Sequence, residues 1–143
     1  MRLNPRLFAS LLLATACRSS TEPFADVHVV TSVSARGIAG VSIAINTTIV
    51  NGSNRAFTFD SGACPRRFRV ETSGGLTVAL REQVCDLLSR PLTLAPGERY
   101  QFDESWDSKD ASGMQRIGAF RVVGQPFLNS GPQSEPVTVQ LLQ

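Results

Sequence analysis

The chain has 143 residues, 42% of them hydrophobic and 18% charged, a balance that excludes an intrinsically disordered segment and suits one domain with one core. Of the 14 basic residues two, Arg2 and Arg6, fall in the leader, so the rest of the chain matches its 12 acidic residues. The remaining arginines are scattered, and a neutral domain without a basic stripe carries no footprint for nucleic acid or anionic head groups.

Residues 1–16 begin with a basic M-R-L-N-P-R and continue as a ten-residue apolar run up to Cys17. Ten residues fall short of the about 20 that a membrane-spanning helix needs, and they fit the apolar part of an export signal. The segment Leu13-Ala14-Thr15-Ala16-Cys17 resembles a bacterial lipobox. That resemblance implies cleavage before Cys17, diacylglycerol on its sulfur and an exported protein held on the cell membrane. Ala14 stands where the strict pattern prefers Leu, and ordinary signal-peptidase cleavage after Ala16 is the alternative. The residue after the cysteine is Arg18 rather than Asp, which favours the outer membrane if the host has two. Residues 17–25 read as the lipidated cysteine and a polar tether, and residues 26–143 as the domain.

The domain opens with a Val-rich strand over residues 26–34, followed by a two-glycine loop at 36–40. Residues 41–50 alternate cleanly, with Val41, Ile43, Ile45, Thr47 and Ile49 on one face, which predicts a half-buried strand. Asn51-Gly52-Ser53-Asn54 predicts a hairpin-type turn into the strand 55–60, where Phe57 and Phe59 share a face. Strands follow at 66–71, with Phe68 and Val70 inward, and at 76–81, with Leu76, Val78 and Leu80 on one side. Residues 82–90 read as a loop or a single helical turn. A brief strand at 92–94 precedes the Pro96-Gly97 turn.

From that turn comes a strand in which Tyr100, Phe102, Glu104 and Trp106 point one way and Arg99, Gln101, Asp103 and Ser105 the other. It holds the only Trp and the only Tyr of the chain. The aromatics form a core row, Trp106 is expected to be buried, Asp103 and Asp107 face water, and Glu104 is placed to meet an arginine. After the polar loop 107–113, two last strands at 118–123 and 137–142 flank a Pro- and Gly-containing segment. Seven to nine short strands with turns every 8–12 residues predict an all-β, immunoglobulin-like antiparallel β-sandwich; a closed barrel is the structural alternative.

With Cys17 assigned to lipid, Cys64 and Cys85 have one intramolecular pairing. In an exported chain a disulfide between them would persist and contribute about 3 kcal/mol for a loop of roughly 20 residues.

Chemistry-bearing constellations are sparse. His28 stands in a Val-rich run, where a partly buried strand histidine is the expectation, and no nucleophile elbow accompanies it. Asp107, Lys109 and Ala111 fail as an EF-hand loop because two of the three supply no side-chain oxygen. Arg66, Arg67 and Arg69 read as a cationic patch on one exposed strand face. The residues thus point to a non-enzyme with no catalytic residue, metal site, cofactor or small-molecule substrate, and to a protein partner.

The strand ending Val50-Asn51-Gly52, the segments Phe57-Thr58-Phe59-Asp60-Ser61-Gly62 and Phe68-Arg69-Val70, the turn Leu94-Ala95-Pro96-Gly97-Glu98, the row from Tyr100 to Asp107 and Gly118-Ala119-Phe120-Arg121-Val122 together resemble the BsuPI domain of bacterial intracellular proteinase inhibitors. The resemblance runs from about Val41 to Phe127, about two-thirds of the chain after residue 16, and implies an immunoglobulin-like sandwich. Two departures matter. Val84-Cys85-Asp86-Leu87-Leu88 replaces a tryptophan-bearing segment, and Ile117-Gly118-Ala119-Phe120 replaces a Pro-Gly-x-Tyr strand. Two functions are therefore expected. One is a membrane-anchored, non-catalytic module that binds or scaffolds an envelope protein. The other is a proteinase inhibitor presenting a disulfide-braced loop, with Glu82, Gln83, Val84, Asp86, Leu87, Leu88 and Arg90 as its contact residues.

Overall fold

The computed structural model of the protein describes residues 24–61, 66–82, 89–127 and 131–143. Cys17, Cys64, Cys85 and residues 83–88 of the candidate loop lie outside them. The described residues form ten strands: β1 (Val27–Val33), β2 (Arg36–Ile38), β3 (Ile43–Asn51), β4 (Phe57–Asp60), β5 (Arg66–Thr72), β6 (Thr77–Glu82), β7 (Pro91–Leu94), β8 (Arg99–Trp106), β9 (Gly118–Gly124) and β10 (Val137–Leu142). Nine of these are the expected ones. The tenth, β2, was expected as a loop; it pairs in parallel with β10, while every other ladder is antiparallel.

The strands make a sandwich of a three-stranded sheet, β1-β3-β8, against a five-stranded sheet, β2-β10-β9-β5-β6, with the two-stranded β4-β7 beside them. These orders match the A-B-E and G-F-C-C′ orders of immunoglobulin domains. The protein is an all-β, immunoglobulin-like sandwich.

Alternation makes the core. Along β3, Ile43, Ile45, Thr47, Ile49 and Asn51 are all buried. Ile43 and Ile45 join Phe68, Val70, Trp106, Phe120, Val122, Val139 and Leu141 in one cluster. Ile49 joins Val27, Val29, Phe59, Leu94, Phe102 and Phe127 in a second. Between the two clusters the sheets close tightly: Thr31 and Thr47 hydrogen-bond through their hydroxyls at 3.3 Å, and Gly124 faces them. A Cβ on Gly124 would sit 2.1 Å from Thr31 Oγ1.

Trp106 is 4% exposed, as the register of β8 requires. Elsewhere periodicity misplaced side chains. The Asn51-Gly52 turn is not a hairpin, because β3 and β4 belong to different sheets. Neither residue takes positive φ; instead the buried Asn51 amide donates to the carbonyls of Arg55 and Leu94 and ties the turn to the end of β7. Val41 precedes the start of β3 and is exposed. Leu76 and Leu80 are exposed too, since β6 is a sheet edge and a register shift opposite Val70 and Glu71 breaks its alternation. His28 lies on the outer face of β1 and is exposed rather than partly buried.

Candidate functional site

Both β6 and β8 are edge strands, so one flank of the sandwich carries no continuous ladder. At one end of that flank β4 and β7 cover the second cluster, with Phe59 edge-on to Tyr100 at 6.0 Å between ring centres. At the other end the flank opens as a cleft of about 890 Å³. Phe68, Val78, Ala79 and Trp106 form its floor, and Asp107 and Lys109 stand on its rim. The indole Nε1 of Trp106 donates to the Lys109 carbonyl at 2.8 Å, which fixes the ring and the start of the following loop together. Ala111 N–H donates to the Val78 carbonyl at 3.0 Å and closes the upper end of the cleft.

Between cleft and cover sits the arginine that Glu104 was placed to meet, and it is Arg67, which strict alternation sends outward. Arg67 is the extra residue of a bulge, since Arg66 pairs with Glu82 and Phe68 with Arg81. Its side chain therefore enters the sandwich, 2.6 Å from Glu104 and 4.9 Å above the Phe102 ring. The expected cationic patch is thus divided: Arg67 meets Glu104 inside. Arg69 lies outside, bonded to Glu71 and to Gln133. Glu71, 8% exposed, is held from its other side by Arg121 at 3.0 Å. Asp103 and Asp107 face water as expected.

The loop 107–117 is organised by Asp110. One carboxylate oxygen accepts from Ser112 N–H, Ser112 Oγ and Met114 N–H at 2.9, 2.6 and 3.0 Å. The other accepts from the Arg116 guanidinium. The Ser112 hydroxyl above all, then the Met114 amide and Arg116, hold its pKa down at about 2. Reading residues 107–113 as a polar loop did not identify that role. The Asp-x-Ser spacing of an Asx turn was the available signal.

The expected partner-binding loop leaves and rejoins the fold at a clamped point. Glu82 ends β6 and pairs with Arg66. Arg90 N–H donates to Asp60 at 2.9 Å, and its carbonyl accepts from both Ser61 N–H and Ser61 Oγ at 2.9 Å. The two segments that carry Cys64 and Cys85 are therefore rooted side by side. Gln83, Val84, Asp86, Leu87 and Leu88 lie outside the described residues.

Neither a protein-family model nor a curated protein matches the chain. Among solved structures it is similar to β-glucosidase from Listeria innocua in complex with glucose, with TM-score 0.51 at 16% identity over 80% of this chain and 16% of that one. It is similar also to a β-glucosidase from Erythrobacter marinus, with TM-score 0.51 at 14% identity over 81% of this chain and 15% of that one. The chain spans about a sixth of the length of those enzymes. Identity this low speaks for the sandwich fold alone.

Proposed function

We propose that this chain is a non-catalytic immunoglobulin-like module, related to BsuPI domains, that is exported, tethered to the cell envelope through lipid on Cys17, and holds a protein partner. The observation that supports this reading is how three of the described carboxylates are used. Glu104 meets Arg67 across the sheets, Glu71 lies between Arg69 and Arg121, and Asp110 builds its own loop with Arg116. These carboxylates are committed to holding strands and loops in place. The cleft walls are strand edges with short side chains, a surface suited to recognition. The second reading, a peptidase inhibitor presenting residues 82–90, is favoured by the clamped roots at Ser61 and Arg90 and by the expected Cys64–Cys85 bridge. A pinned loop loses less entropy on binding.

Two measurements test this. Fatty-acid labelling is expected on the protein and not on Cys17→Ser, which should leave the membrane fraction. Unlabelled, soluble wild type would sink the tether. Titration of the lipid-free domain against serine and metallopeptidases is expected to show no inhibition at micromolar concentration. Inhibition that Arg90→Ala weakens would replace the first reading with the second.

A further inference from the structure

β8 has one open edge, and the backbone groups along it follow from its pairing with β3. Asn51 N–H donates to the Glu98 carbonyl at 3.0 Å, and the register runs on from Val50 opposite Arg99 to Ile43 opposite Trp106. Backbone direction alternates along a strand, so Tyr100, Phe102, Glu104 and Trp106 turn their N–H and C=O groups to β3. Arg99, Gln101, Asp103 and Ser105 turn theirs the other way. Among the described residues no strand but β3 packs along β8. Immunoglobulin sheets place a D strand there, beside E. Here β7, which precedes β8 as D precedes E, pairs with β4 instead.

The cleft opens at that edge. Ser105 and Trp106 line one wall and residues 77–80 of β6 the other. Ala111 shows what these walls accept, since its N–H reaches the Val78 carbonyl as an added strand would. A strand added to β8 would turn every second side chain, beginning opposite Trp106, onto the apolar floor of Phe68, Val78 and Ala79. The side chains between stay outside, and there charge selects. Asp103 is exposed and is met among the described residues by the Gln101 amide at 2.6 Å. Arg99 stands four residues along the strand, about 14 Å away, beyond the about 8 Å over which exposed charges act at physiological salt. Arg67 is held by Glu104, Lys109 by Asp107 and Arg116 by Asp110. Asp103 thus leaves a negative charge on the open edge.

We propose that β8 takes a fourth strand from the partner, an extended segment bonded to the main chain of Asp103 and Ser105. It lays an apolar side chain over Phe68 and Trp106 and sets a basic residue, three positions away, opposite Asp103. This gives the partner-holding reading its site and rests on that reading, but not on the lipid tether. A second copy of the chain fits less well, because the inward side chains of its own β8, Phe102 and Trp106, are buried in its core and cannot reach the floor of the cleft.

The probe is the peptide T-V-T-V-K-V-T, capped at both ends and added to the full-length protein. Saturable binding is expected, with hydrogen exchange slowed across residues 99–106. Ser105→Pro removes an outward N–H, a change that an edge strand tolerates. It should weaken binding about tenfold at an unchanged thermal midpoint. Replacing the peptide's Lys by Glu should weaken binding about threefold, and Asp103→Lys should reverse that preference. No binding, or slowed exchange confined to residues 77–82, overturns the inference. So does equal affinity for the Lys and Glu peptides, or a Ser105→Pro protein that binds as wild type does. A concentration-dependent dimer that protects residues 99–106 without peptide overturns it as well. Each of these outcomes leaves the module reading to the fatty-acid labelling and peptidase titration, which report on Cys17 and residues 82–90 and not on this edge.

Discussion

Gly124 is the residue on which the spacing of the two sheets turns. The hydroxyls of Thr31 and Thr47 occupy the space where its side chain would stand, with Thr47 atoms 2.8 and 2.9 Å from an added Cβ. Each threonine satisfies the other in a buried position, so neither can rotate away without losing that bond. Gly124→Ala is therefore expected to destabilise the fold by about 2 kcal/mol through overpacking. Urea unfolding should show a lower midpoint at an unchanged slope. Arg67 makes a related point. Strict alternation sends it outward, and the single extra residue of the bulge turns it inward onto Glu104 and Phe102. A bulge depends on the partner strand, and no property of Arg66-Arg67-Phe68 taken alone announces it.

At the scale of the element, the loop 107–117 is more ordered than a polar, glycine-containing segment suggests. Its order depends on the ionised Asp110 carboxylate, whose pKa is lowered from 3.8 to about 2 in the fold. A depressed carboxylate contributes stability that is fully present above its unfolded pKa and is lost as pH falls through the folded one. Wild type should accordingly melt above Asp110→Asn at neutral pH. The gap should close between about pH 4 and pH 2. A gap that stays constant down to pH 2 would remove the carboxylate from this role. Thermal melts of the two proteins across that range make the comparison, and the Met114 amide, which the same oxygen receives, should exchange faster in the variant.

For the whole molecule the feature of greatest mechanical weight is the expected brace between two loops. Arg66 with Glu82, and Ser61 with Arg90, root the segments carrying Cys64 and Cys85 side by side, which supports the bridge expected from their number. Mature protein is expected to show no free thiol at these positions when unfolded without reductant. Cys64→Ser with Cys85→Ser should lower the thermal midpoint by roughly 10 °C, the equivalent of about 3 kcal/mol in a domain of this size. Two titratable thiols in the wild type would overturn it.

The sequence by itself determined nine of the ten described strands, their all-β assembly and the burial of Trp106, because a period-2 pattern between turn residues is a local property that each strand carries with it. Asp103 and Asp107 facing water, and Glu104 meeting an arginine, follow from the same period. Only the tertiary structure decided which strands are neighbours. It paired β2 with β10, separated β3 from β4 across the Asn51-Gly52 turn, left β6 and β8 as facing edges and drew Arg67 into the interior. Registers and strand neighbours arise from contacts between residues tens of positions apart, and a local pattern holds no record of them.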